Sequence, residues 1–224
     1  MAFHMRPPFL IELNCQIRVR IKENECEEGL PMELYLVRHG QSQANANHIM
    51  QGAKIDQPLT EKGRMQANET KEKLSGIQFD KIFVSPLKRA SETAEIIVGS
   101  QATVTFDPQL VEFDYGKWDG QRIEDLVANY PEYFKNASNF KNSWRVSGGE
   151  TYEKAQKRLS NFMNSLDLDN NDQVLVVSHG MTIKLWLALL LNTNNPERIA
   201  EPENAGCTHF SFYHGIPILK AYSK

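Results

Sequence analysis

From Met32 onward, short apolar runs alternate with longer amphipathic stretches. Leu34-Tyr35-Leu36-Val37 is apolar without a break, as are Ile82-Phe83-Val84 and Val174-Leu175-Val176-Val177. A run of that length without one-on, one-off alternation suits a strand covered on both faces. The pattern predicts strands over residues 33–37, 81–84, 104–106 and 174–177. It predicts helices over 60–74, 87–98, 151–166 and 182–191, the last apolar on most sides and therefore buried. Thr60 stands where an N-cap hydroxyl belongs, and Gly99 near a helix C-terminus. Shorter helices are predicted over 122–130 and 132–136, inside a polar and aromatic insert, 121–149. A hairpin, 210–213 and 216–222, closes the chain around His214-Gly215. Strand–helix alternation predicts an α/β fold, a three-layer α/β/α sandwich around a mostly parallel central sheet.

Residues 1–31 break the pattern. Ile17, Val19 and Ile21 alternate with Arg18, Arg20 and Lys22, the period of a half-exposed strand, and acidic residues follow at once. The segment reads as an N-terminal extension to a domain spanning 32–224, with Met32 expected as the natural start. Phe9-Leu10-Ile11 is cut by Glu12 and makes a poor signal-peptide core.

Composition narrows the classes. The chain has 224 residues, 41% hydrophobic and 24% charged, with a net charge of −3. That is ordinary for a globular chain and offers no global field for nucleic acid. No apolar run approaches the ~20 residues of a membrane span. Cys15, Cys26 and Cys207 cannot all pair with one another and lack metal-type spacing, so reduced thiols and a cytoplasmic location are expected.

The chemistry sits where the apolar runs stop. LYLV ends in Arg38-His39-Gly40 and VLVV ends in Ser178-His179-Gly180, while IFV ends in Ser85 with Arg89 four residues on. If these strands are parallel, their ends share one edge of the sheet, the edge where open α/β sheets bind ligands. Arg38, His39, Arg89 and His179 would then converge, with helix N-termini adding backbone donors. Such a pocket suits a phosphate dianion. Other phosphoryl-transfer devices are missing: no GxxxxGK[ST] loop, no cysteine with an arginine six residues on, no HExxH metal motif. Asp167-Leu168-Asp169 follows no apolar strand and makes a poor aspartyl nucleophile.

These residues make the chain resemble the histidine phosphatase superfamily, in its phosphoglycerate-mutase-like branch. The likeness runs in order through Arg38-His39-Gly40 with Ser42 and Asn45; Gln51-Gly52; Pro58-Leu59-Thr60, Gly63 and Gln66-Ala67; Ser85-Pro86-Leu87, Arg89-Ala90 and Thr93-Ala94; Glu112 with Gly116 and Gly120; Gly148-Gly149-Glu150; and Ser178-His179-Gly180. The resemblance implies that His39 takes the phosphoryl group covalently. It implies that Arg38, Arg89 and His179 hold the phosphoryl oxygens, with Asn45, Gln51, Gly52 and Gly180 contributing to substrate binding. Glu112 would be the general acid and base, with a pKa raised by partial burial; Glu150 is its rival and is expected to orient the following helix instead. No cofactor and no metal are implied. The expected partner is a small phosphorylated substrate, with no nucleic acid or membrane, and a homodimer is compatible. His48, His209 and His214 are expected to be structural, and Trp118, Trp144 and Trp186 to be core or pocket wall.

Mutases of this type carry a longer insert and a tail past the last strand, whereas this chain stops just after its final strand. Hydrolysis of a small phosphomonoester is therefore expected over phosphoglycerate mutation. A non-catalytic phospho-ligand-binding regulator is the third reading, disfavoured because the nucleophile, both arginines and the acid are all present. Removing residues 1–31 is expected to leave turnover intact, checked by the kinetics of the truncated protein; lost activity would assign the extension a role.

Overall fold

The computed structural model describes residues 30–135, 137–168 and 170–224. The extension, apart from its last two residues, lies outside these, as do Asn136 and Asp169. The elements run in the order β1 (Met32–Arg38), α1 (Gln43–Ala46), α2 (Glu61–Lys73), β2 (Lys81–Val84), α3 (Lys88–Val98), β3 (Thr105–Phe106), α4 (Ile123–Asn129), α5 (Pro131–Phe134), α6 (Ala137–Phe140), α7 (Trp144–Ser147), α8 (Tyr152–Met163), β4 (Gln173–Ser178), α9 (Gly180–Leu190), β5 (Cys207–Tyr213) and β6 (Ile216–Ala221). One six-stranded sheet has the order β3-β2-β4-β1-β5-β6. The first four of these strands are mutually parallel; β5 runs antiparallel to β1, and β6 antiparallel to β5.

The unbroken apolar runs follow from cover on both faces. Side chains alternate across a strand. Leu34, Leu36, Val174 and Val176 face one way, into a core with Phe162 of α8 and Trp186 of α9. Tyr35, Val37, Leu175 and Val177 face the other way, against Ala90, Ala94 and Ile97 of α3 and Leu74 just past α2. This is the three-layer sandwich read from the pattern. Helix α9 is buried on nearly every side, as its composition requires.

Element ends agree with the sequence to within a few residues. Thr60 caps α2 by accepting from the Gly63 N–H, and Gly99 stands at the C-cap of α3 with φ 85°. The insert differs most. Two short helices were expected there, and four are formed, α4 to α7. They have no 3.6-residue period because each is a single turn or two, packed around one ring. Trp118, fully buried, meets Tyr130, Tyr133, Phe134 and Phe140 with ring centroids 5.1–6.3 Å apart. Trp186 is core as expected, but Trp144 is 37% exposed and lies beside Arg145, so the expectation for it is corrected.

One close approach positions the site. A Cβ on Gly40 would lie 2.3 Å from the Gly63 carbonyl oxygen, and a Cβ on Gly63 would lie 2.1 Å from that of Gln41. Only two glycines let the turn after β1 press onto α2 this tightly.

Candidate active site

Strands β1 and β4 are neighbours in register, Arg38 opposite Ser178, and the His39 N–H donates to the Ser178 carbonyl at 3.0 Å. The two His-Gly ends therefore leave the sheet side by side. The rings of His39 and His179 lie 5.2 Å apart between centroids, tilted by 59°. Ser85, at the end of β2, donates its N–H to the Val177 carbonyl and completes the edge.

His39 is buried and held from several sides. Its Nδ1 lies 2.7 Å from the Gly40 carbonyl, so Nδ1 carries the proton and Nε2 keeps a lone pair. Arg89 Nε–H donates to that lone pair at 3.2 Å. The His39 carbonyl accepts from the Ala205 N–H at 3.1 Å and from Asn204 Nδ2 at 3.2 Å. Gly40 N–H donates to Thr93 Oγ1 at 3.0 Å, and that hydroxyl donates to the Arg89 carbonyl at 2.7 Å. One threonine thus ties the turn of His39 to the helix of Arg89. Burial, then Arg89 and Arg38, hold the His39 pKa well below its ordinary 6.5. The same causes, burial first, hold His179 well below it too. Both rings are neutral at physiological pH.

Arg89 is wholly buried on the first turn of α3. Its head donates to the carbonyls of Ile55 (2.8 Å) and Gly52 (3.3 Å). Burial draws its pKa down to about 10, which leaves it charged at neutral pH. The loop offering those carbonyls is itself fixed. Gly52 N–H donates to Asp119 Oδ1 at 2.6 Å, and Gln51 spans from the Ser42 hydroxyl (2.5 Å) to the Ile55 carbonyl (3.4 Å). Gln51 and Gly52 therefore brace Arg89. Asn45 Oδ1 accepts from the Ser42 N–H and from Asn204, which leaves its amide nitrogen to donate.

Arg38 donates to the Pro202 carbonyl at 2.6 Å and pairs with Glu201 at 2.9 Å. Its Nε is buried without a partner, and so is His179 Nδ1, while His179 Nε2 lies 2.7 Å from the Ser85 hydroxyl. A buried unpaired donor costs free energy on the order of 1–3 kcal/mol. Arg38 Nε is such a donor, and His179 Nδ1 is another when the Ser85 hydroxyl donates to Nε2; beside one cationic pocket they would suit a ligand's acceptors.

Glu112 is buried against the N-terminus of α9, whose first residue is Gly180. Its Oε1 accepts from Phe113 N–H (2.8 Å) and Thr182 N–H (3.0 Å) and lies 3.1 Å from the Thr182 hydroxyl. Its Oε2 has one long contact, from Met181 N–H at 3.3 Å. Oε2 is thus the oxygen free to carry a proton. Burial first, then Glu201, raises the carboxyl's pKa, against the Phe113 hydrogen bond and Arg89. Glu150 instead pairs with Arg158 at 3.0 Å, as a brace on α8.

Of the residues read from the sequence, the structure brings Arg38, His39, Arg89, Glu112 and His179 together and puts Asn45, Gln51, Gly52 and Gly180 around them. His209 pairs with Glu33 at 2.5 Å and stacks on Tyr35, within the sheet. Thr93, Thr182, Glu201 and Asn204 were not read as part of the site. The threonines fall at helical positions that look like packing, and Glu201 and Asn204 come from an irregular loop with no pattern to read. Among the described residues, no cluster of three His, Cys, Asp or Glu side chains could hold a metal ion, and no helix is long and apolar enough to cross a membrane.

A mostly parallel sheet with an arginine–histidine cup at its carboxyl edge is a phosphate-handling α/β architecture. The family model described as histidine phosphatase superfamily (branch 1) matches residues 34–224, and the chain belongs to that family. It is 33% identical over 162 residues to a protein of Cronobacter sakazakii named "Probable phosphoglycerate mutase GpmB", covering 71% of this chain and 75% of the relative. Among solved structures it is similar to an alpha-ribazole phosphatase from Shigella flexneri (TM-score 0.74, 26% identity, 86% of this chain and 96% of that one). It is also similar to a phosphoserine phosphatase from Entamoeba histolytica in complex with 3-phosphoglyceric acid (TM-score 0.73, 29% identity, 86% and 97%).

Substituting Glu112→Gln is expected to slow hydrolysis of an alkyl phosphate by ~10²–10⁴-fold. In kcat/KM, which reports capture of the phosphoryl group and not the later attack of water, the loss should be far smaller for p-nitrophenyl phosphate, whose leaving group needs no proton. Because the carboxyl's pKa is raised, the protonated acid persists above the usual ~4.3 and is lost as pH climbs through its folded value. The alkaline decline of kcat/KM for the alkyl ester should therefore begin above that usual value and vanish in the variant. An equal loss of kcat/KM on both esters would remove Glu112 from the acid role.

Proposed function

We propose that this protein is a metal-independent phosphatase that hydrolyses a small phosphomonoester through a phosphohistidine on His39. The observation that carries the reading is the pair of buried, unpartnered nitrogens, Arg38 Nε and His179 Nδ1, beside a neutral His39 whose Nε2 holds a lone pair.

The steps balance as follows. His39 Nε2 attacks phosphorus, the bond to the ester oxygen breaks, and Glu112 Oε2 gives its proton to the leaving alkoxide. Arg89 exchanges its contact with Nε2 for one with a phosphoryl oxygen. Arg38 Nε and His179 Nδ1 take others, with Ser85 donating to His179 Nε2. Positive charge at the equatorial oxygens is what phosphoryl transfer requires, and two guanidiniums supply it. Water then attacks the phosphohistidine. The Glu112 carboxylate takes its proton, and phosphate leaves with His39 neutral again. Covalent capture divides one hard displacement into two easier ones.

The insert 121–149, gathered around Trp118, would cover the cup and contribute to substrate choice. Phosphoglycerate mutation is the second reading, favoured by the name of the sequence relative. It would use the same phosphohistidine but keep water from it. A cytoplasmic setting fits Cys207, a buried free thiol.

A phosphomonoester panel assayed with chelator tests the reading. Turnover should persist without metal, His39→Ala should abolish it, and His179→Ala should leave traces. Full activity in the His39 variant would reject the covalent step, and exchange between 2- and 3-phosphoglycerate without phosphate release would favour the mutase.

A further inference from the structure

Glu201 is a carboxylate besides Glu112 that the fold brings against the phosphate cup, where it pairs with Arg38. It comes from the loop between α9 and β5, with its side chain 44% exposed and its Oε1 2.9 Å from Arg38. A Cβ on Gly180 would lie 2.0 Å from that same oxygen, so the carboxylate lies over the first residue of α9. The two residues after Gly180, Met181 and Thr182, offer the amides that hold Glu112. Among charged groups Glu201 acts most strongly on Glu112, ahead of Arg89 and Arg38. Glu201 therefore stands on the side of the site from which the leaving group receives its proton.

A phosphomonoester carries close to two negative charges at neutral pH. Arg38 and Arg89 balance them, and both histidines are neutral. Once phosphate takes up Arg38's positive charge, Glu201 is left uncompensated beside the leaving group. Two other cations of the site region are paired, Arg158 with Glu150 at 3.0 Å and Lys54 with Asp114 at 2.9 Å. A leaving group bearing a carboxylate meets a like charge there, and one bearing an ammonium meets its counter-ion.

We propose that Glu201 is a specificity-determining residue that selects phosphomonoesters whose alcohol carries an ammonium group and disfavours those whose alcohol carries a carboxylate. This rests on the hydrolytic reading above and names its substrate class. It also gives a physical reason for the site to be poor at phosphoglycerates.

The experiment compares kcat/KM for phosphoethanolamine, 3-phosphoglycerate and p-nitrophenyl phosphate in the natural protein and in Glu201→Gln. The natural protein should prefer phosphoethanolamine to 3-phosphoglycerate, and the substitution should reduce that ratio about five- to tenfold, the scale of a partly exposed charge pair. Loss of Arg38's partner would slow all three esters together and leave the ratio alone, so the ratio isolates the contact with the leaving group. An unchanged ratio, or a natural preference for 3-phosphoglycerate, with p-nitrophenyl phosphate still hydrolysed, would overturn this inference while leaving the hydrolytic reading standing. No hydrolysis of any of the three would overturn both.

Discussion

The parallel pairing of β1 with β4 is the constraint on which everything else rests. Because Arg38 lies opposite Ser178, the two strands end at the same height, and each hands a histidine to the same edge. A slip of one residue would turn every side chain of β1 to the wrong face. Leu34 and Leu36 would leave one core, Tyr35 and Val37 the other, and His39 would lose His179. The hydrophobic burial that fixes the register also fixes the site. Packing energy thereby sets the geometry of the cup.

Burying charge at that edge is costly, and the structure shows how the cost is met. Arg89 is wholly buried yet donates to two loop carbonyls, and the loop is tied down by Asp119 and Gln51. Glu112 is buried yet rests on the amides that open α9. Both histidines avoid the cost by staying neutral. At this edge Arg38 Nε and His179 Nδ1 are left without partners, as are the buried indole nitrogens of Trp118 and Trp186 in the core; only the first pair lies where an anion would supply acceptors. The cup is thus preorganised, and little rearrangement is needed beyond the shift of Arg89 off Nε2.

Much of this was legible in the sequence because it is periodic or local. Continuous apolar runs ending in His-Gly give the strand ends, and the chain's alternation gives the layers. Thr60, Gly63 and Gly99 fall where caps and close approaches need them. The unread part depends on contacts between distant segments. Glu201 and Asn204 reach Arg38 and His39 across more than 150 residues of chain from a loop with no periodicity. The short helices of the insert gather aromatic rings on Trp118, and Trp144 stays on the surface beside Arg145. Thr93 and Thr182 look like ordinary helix positions until the elements dock.

The central claim is that His39 becomes phosphorylated, and trapping that species tests it most directly. Glu112→Gln lacks the base that activates water, so it should accumulate the intermediate when mixed with labelled p-nitrophenyl phosphate. After rapid quenching, peptide mapping should place an acid-labile, alkali-stable phosphate on His39. Label on a serine, or turnover with no label ever bound to the protein, would contradict the account.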